Sequence, residues 1–186
     1  DAETGEKIEF KARIIFCNAS TVGTTAILLN SRSERFPNGL GNDSGELGHN
    51  LMDHHYGMGA SGTLPGLEDK YYSGRRPGGF YIPRFTNIDD ETRQKDYIRG
   101  FGYQGGAVRR NNIPAGVVGK NLKDSIFQPG PWAISMTCFG EMLPYHENRM
   151  YLNFDKRDKH GMPTITFDAK LRDNEHKLRA HGVQCA

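Results

Sequence analysis

Apolar positions along the chain fall into short runs separated by Gly, Asn and Pro, and the spacing of each run predicts an element. Ala12-Arg13-Ile14-Ile15-Phe16-Cys17 is a nearly continuous apolar run, the pattern of a strand buried on both faces. Ser20 and Thr21 follow as N-cap candidates, and Val22, Ala26 and Leu29 then share one face of a helix over Val22 to Leu29. A strand, a tight turn and a short helix are how an open α/β sheet offers backbone N–H groups to a dinucleotide. Asp1 to Glu6 reads as a turn, Ser31 to Ser44 as a loop, and Gly45 to His54 as an irregular or short helical turn.

The pattern then changes. Tyr56 to Thr63 is Gly-rich, strand or loop, and Phe80 to Pro83 reads as a strand ended by proline. Asp96 to Tyr103 alternates, with Tyr97, Arg99, Phe101 and Tyr103 on one face and Ile98 on the other. Trp132 to Leu143 alternates in part, and Asn148 to Phe154 with Pro163 to Phe167 reads as a hairpin. Short helices are expected at Asn121 to Phe127 and at Glu175 to His181. Asp173 or Asn174 would cap the second, and Gly182 would end it. Several strands with few helices predict an α+β fold built on a mainly antiparallel sheet. The expected division is residues 1–55 as a βα-containing piece and residues 56–186 as a strand-rich domain.

Composition narrows the function classes. A formal net charge of +2, with scattered basic residues, gives no footprint for nucleic acid. No apolar run reaches the length of a transmembrane span, so no transmembrane segment is expected; the expected protein is soluble, and the sequence does not choose between cytoplasmic and periplasmic. The three cysteines, Cys17, Cys138 and Cys185, are widely separated and predict no disulfide framework. The mean hydropathy of −0.66 with 23 Gly and 9 Pro describes a loop-rich chain whose core leans on aromatic residues.

Three motifs in order carry a resemblance. The first is the strand-helix segment Ala12 to Ser31, and the second is Leu47-Gly48-His49-Asn50-Leu51-Met52-Asp53-His54. The third is Asn148-Arg149-Met150-Tyr151-Leu152 with Asp155, Lys159, Gly161 and Pro163, followed by the helix start Asp173-Asn174-Glu175. In this order they resemble the glucose-methanol-choline (GMC) family of flavoprotein oxidoreductases, at the passage from FAD-binding domain to substrate domain. The resemblance implies a βα segment from an FAD-binding domain, followed by the antiparallel sheet and flanking helices of a substrate domain that is incomplete at its C-terminus. It implies FAD as cofactor and a sugar or polyol as substrate. It also implies, as partners, the rest of the FAD domain and a C-terminal segment of the same protein. That segment carries the family's catalytic His, so no catalytic residue is expected in this chain. The family's Gly-x-Gly-x-x-Gly fingerprint is absent too. Gly100-Phe101-Gly102-Tyr103-Gln104-Gly105 has its spacing but sits in strand-rich sequence with no helix after it.

Several residues have two readings. Asn18, Ala19 and Ser20 either meet the cofactor through backbone N–H groups or form an ordinary capped turn. Asn50, Asp53 and His54 either lie beside the flavin or hold a loop. Asp53, His54 and His55 are adjacent, which does not suit a metal ion, and no metal is expected. Tyr103, Gln104 and Trp132 are candidates for the substrate pocket, with Asn112 as further polar lining, because sugars bind aromatic faces edged by polar groups. The alternative for the aromatics is a plain core. Arg75-Arg76 and Arg109-Arg110 either meet an acidic ligand or solvate a face. The rival to the flavoenzyme reading is a free-standing β-rich carbohydrate-binding module without redox activity.

Overall fold

The computed structural model describes the chain except for Ala2, residues 71–78 and Asn112; the side chains of Arg110, Asn111 and Pro129 are also outside the described set. The Arg75-Arg76 doublet and the Asn112 candidate therefore lie outside the described residues. The chain is α+β, and its described residues form α1 (Ser20–Asn30), β1 (His54–Leu64), β2 (Phe80–Ile82), β3 (Phe101–Asn111), α2 (Gly119–Ile126), β4 (Pro129–Glu141), β5 (Arg149–Arg157), β6 (Pro163–Asp168) and α3 (Asp173–Gln184), in that order. They form two compact units: residues 1–52 with 144–170, and residues 53–143 with 171–186. Both units are discontinuous in sequence, the hairpin at 144–170 grouping with the N-terminal residues.

In the first unit, α1 packs on the antiparallel hairpin β5–β6. Leu29 is the buried residue of the helix. The expected caps Ser20 and Thr21 lie inside the helix, whose N-cap is Ala19 without a side-chain hydrogen bond; Ser20 Oγ accepts from Gly23 N at 3.4 Å. Asn148 is the polar clasp of this unit. It is buried, exchanges two hydrogen bonds of 3.0 Å with the Lys170 backbone, and its carbonyl accepts from Leu51 N at 2.8 Å. The expected strand over Ala12 to Cys17 does not pair. Ile14, Ile15 and Phe16 stay 71%, 76% and 80% exposed, because a strand needs neighbours to satisfy its backbone and cover its faces, and none of the described strands lies alongside.

The second unit is a four-stranded antiparallel sheet in the order β1-β4-β3-β2. The Gly-rich segment after Tyr56 is strand β1, paired with β4 from His54↔Glu141 to Leu64↔Trp132, with a bulge between His55 and Met58. The strand expected at Asp96 begins later, at Phe101. Arg99 has φ 71°, a left-handed turn that no extended strand contains. Phe101 and Tyr103 are buried on one face of β3; Tyr97 is buried ahead of the strand, and Arg99, expected on the same face, is exposed.

Helix α3 covers one face of this sheet. Leu178, fully buried, packs among Met58, Tyr97, Phe101, Tyr103 and Cys138. Gly182 was expected to end the helix. Instead α3 runs on to Gln184 and Gly182 is buried within it. A Cβ there would lie 2.9 Å from Cys138 Sγ, and one at Gly140 would lie 2.5 Å from Leu178 Cδ2. Both glycines serve close helix–sheet approach rather than helix termination. The helix start differs as well. Arg172 N donates to Glu175 Oε2 at 2.9 Å, and Asn174 Oδ1 accepts from Ile98 N at 2.9 Å instead of capping. Glu175 is fully buried and also accepts from Leu143 N at 3.0 Å, so one carboxylate ties the exit of β4 to the helix. Removing the central side chain tests this packing. Leu178→Ala is expected to lower unfolding free energy by about 2–5 kcal/mol in a urea titration, and a loss well under ~1 kcal/mol would mean that α3 does not hold the sheet.

Candidate functional site

The open face of the sheet in the second unit carries a cleft of about 520 Å³, within the range of small-molecule sites. Alternation along the strands decides what lines it. Phe101, Tyr103, Cys138 and Gly140 turn towards α3, so Gly102, Gln104, Phe139 and Glu141 turn the other way. Gly102 lies opposite Phe139, Gln104 opposite Tyr81, and Glu141 opposite His54.

The cleft has an aromatic wall, a bare floor and a charged end. Phe139 stacks with Tyr56 at 6.5 Å between ring centroids and 19° between planes, and His54 meets Phe139 edge-on at 6.2 Å. Gly100 and Gly102 leave the floor without side chains. A Cβ at Gly102 would lie 2.7 Å from the Ile82 carbonyl oxygen, and one at Gly100 would lie 2.5 Å from Arg84 Nε. Arg84 lies in the room that Gly100 leaves. Its Nη1 donates to Glu141 Oε1 at 3.2 Å, its Nε to the Thr86 carbonyl at 2.9 Å, and its Nη2 to the Asn87 carbonyl. Arg99 Nε stands 3.8 Å from Glu141 Oε2. Asp53 accepts from His54 N at 2.6 Å, and this bond, with that to the His54 ring, holds its carboxyl below the usual carboxylate range.

The residues expected at the site are sorted by these facts. Asp53, His54 and Gln104 line the cleft. Tyr103 does not: it is buried on the opposite face, and its hydroxyl donates to the Gly182 carbonyl at 2.7 Å. Burial pushes that hydroxyl's pKa up, as it does for Tyr97. Tyr103 therefore belongs to the core rather than the pocket. Trp132 pairs with Leu64 and Arg109 at the other end of β4, seven residues and about 23 Å along the strand from Phe139, and its Nε1 donates to the Lys70 carbonyl at 3.2 Å. Arg109 donates to the carbonyls of Gly130 and Lys70, a structural use of one member of that doublet. Asn18, Ala19, Ser20 and Asn50 lie in the first unit. The first three are exposed at the start of α1, and Asn50 is exposed with φ 58°, a backbone state that Asn tolerates.

Arg84 and Glu141 were not singled out from sequence. Glu141 carried a usable signal, since it continues the alternation of Phe139 two residues on. Arg84, directly after Pro83, had none. Among the described residues no group of His, Cys, Asp or Glu could hold a metal ion, the three cysteines are free, and no helix is long and apolar enough to cross a membrane. The Gly100 to Gly105 spacing lies at the start of the antiparallel strand β3, so it forms no phosphate loop.

No protein-family model matches the chain. It is 28% identical over 191 residues to 2-methyl-1,2-propanediol dehydrogenase from Mycolicibacterium austroafricanum, covering 98% of this chain and 34% of that protein. It is 28% identical over 164 residues to the fructose dehydrogenase large subunit from Gluconobacter japonicus, covering 84% of this chain and 29% of that protein. The chain thus spans about a third of the length of the curated relatives it matches. Both names describe dehydrogenases, which is consistent with an oxidoreductase.

One buried group next to the cleft sets a pH dependence. His55, only 4% exposed, turns away from the cleft, and its Nε2 has no hydrogen-bond partner among the described residues. Burial lowers its pKa below the ordinary 6.5, Arg179 and His176 lower it further, and Glu175 opposes them. The folded protein thus resists a proton that the unfolded chain accepts. Stability is full above pH 6.5 and falls as pH drops below it, until the folded protein also protonates. Thermal melts between pH 8 and pH 5 should show this decline in the wild type and a shallower one in His55→Gln. Parallel curves for the two proteins would exclude His55 as its source.

Proposed function

We propose that this chain is the substrate-facing part of an FAD-dependent oxidoreductase of the GMC type, which oxidises a hydroxyl group of a sugar or polyol. The observation that carries the reading is the cleft on the open sheet face, with an aromatic wall at Phe139 and Tyr56 and polar groups at Gln104, Glu141 and Arg84. That combination suits a ligand with a hydrocarbon face and hydroxyl edges. The two relatives add weight, since one is named for a diol and the other for a sugar.

The first unit supports the cofactor side. Asn18, Ala19 and Ser20 are exposed at the start of α1, and the first turn of that helix carries no acidic residue to repel a phosphate. Under this reading these backbone N–H groups hold part of FAD, and Asn50 shapes the loop beside it. When bound, FAD supplies the hydride acceptor for the carbinol carbon. The residues of this chain bind and orient the alcohol: Phe139 and Tyr56 take its carbon face, and Gln104 and Glu141 take its hydroxyls. Asp53 and His54 stand at the rim. The base for the hydroxyl proton is assigned to a segment outside this chain.

A free-standing carbohydrate-binding module would account for the cleft. It would not account for the exposed Ile14, Ile15 and Phe16, or for relatives named as dehydrogenases. The intact protein that carries this chain should show a flavin absorption spectrum near one equivalent per polypeptide. Anaerobic fructose or 2-methyl-1,2-propanediol should bleach it. An intact protein that binds these compounds without any flavin would support the binding-module reading instead.

A further inference from the structure

We propose that Glu141 makes the cleft selective for neutral vicinal diols. Its carboxylate would accept hydrogen bonds from two adjacent hydroxyls of a ligand whose carbon face lies on the Phe139 ring. The proposal rests on the substrate-wall reading above and names the substrate class within it.

Three observations lead to it. First, Glu141 has acceptor capacity to spare. A carboxylate offers roughly four acceptor positions. The Arg84 bond at 3.2 Å takes one, and Arg99 at 3.8 Å is an ion pair beyond hydrogen-bond length. The side chain is 45% exposed and lines the cleft. Two hydroxyls on neighbouring carbons can meet the two oxygens of one carboxylate, which a single hydroxyl cannot do. Second, Arg84 is already committed. Nε, Nη1 and Nη2 donate to Thr86, Glu141 and Asn87, which fixes the guanidinium plane and lets Arg84 hold Glu141 in place. Third, the charge of Glu141 is already countered. Two guanidinium groups, Arg84 in the lining and Arg99 beside it, stand 3.2 and 3.8 Å from its oxygens, so it needs no ligand cation. A ligand carboxylate would meet Glu141 and a ligand ammonium would meet the arginines, whereas a neutral polyol meets neither penalty.

Phe139 adds a second axis of selection. Its ring, stacked with Tyr56 and faced by the side-chain-free Gly102, offers a flat apolar surface. A ring polyol covers that surface, and a small acyclic diol covers only part of it. Glu141 therefore reads the hydroxyl pair, and Phe139 reads the size of the carbon frame.

The test is calorimetric titration of the intact protein with fructose, 2-methyl-1,2-propanediol and propan-1-ol, for the wild type, Glu141→Gln and Phe139→Leu. Glu141→Gln should weaken both diols about tenfold or more, leave propan-1-ol unchanged and keep the melting temperature. Phe139→Leu should weaken fructose more than 2-methyl-1,2-propanediol. Unchanged diol binding in Glu141→Gln would overturn the proposal, and so would equal weakening of all three alcohols or a wild type that binds no diol. A melting temperature that falls with diol affinity in Glu141→Gln brings in Glu141→Asp, which keeps the charge. Restored stability without restored diol binding supports the proposal, and restoration of both overturns it. Flavin content is read separately in the same samples. A flavin-free protein that still shows the Glu141 pattern would sink the oxidoreductase reading and leave this inference standing.

Discussion

The second unit depends on α3 lying very close to one face of its sheet. That approach is possible only because Gly140 and Gly182 present no side chains where the helix meets β4, so Cys138 and Leu178 can fill the gap. Burial pushes the Cys138 thiol up to about 11, as expected for a sulfur used as a small apolar group rather than a nucleophile. Glu175 adds a polar lock at the helix start, where one buried carboxylate takes backbone N–H groups from both Leu143 and Arg172. With one face closed in this way, strand alternation delivers Gln104, Phe139 and Glu141 to the other face. The cleft is thus a consequence of how tightly the opposite face is sealed.

The same logic explains the segment between β2 and β3. Asn87 organises it: its side chain accepts from Gln94 N at 2.6 Å and donates to the Tyr97 and Arg99 carbonyls. Arg84 is fixed by the carbonyls of Thr86 and Asn87, and Glu141 is fixed in turn by Arg84. The charged end of the cleft is therefore set by loop backbone, not by side chains free to rearrange. Such prior ordering is what lets a half-exposed carboxylate discriminate between ligands, because little conformational freedom is left to lose on binding.

Much of this fold was legible in the sequence, and the misses have physical causes. The hairpin β5–β6, strand β4 and helix α1 follow from the spacing of their apolar positions, and α3 from the polar residues at its start, signals that tertiary context did not override. The Ala12 to Cys17 run has the composition of a buried strand but finds no pairing partner among the described residues, and hydropathy cannot report a missing neighbour. Gly182 read as a helix stop because glycine usually serves there, and only the packing against Cys138 reveals its other use. Tyr103 and Gln104 are adjacent and looked alike as pocket candidates. Their opposite fates follow from the pleat, which sends one into the core and the other to the cleft. Arg84 was invisible because its role depends on a loop closure and on the space left by Gly100, neither of which has a local pattern.

The open face of the β1-β4-β3-β2 sheet is the proposed substrate wall. The most direct measurement is a crystal structure of the intact protein with fructose bound. Ligand density is expected over Phe139, with two adjacent hydroxyls on the Glu141 carboxylate. Ordered fructose elsewhere, with the Phe139–Glu141 cleft empty or filled by protein, would contradict it.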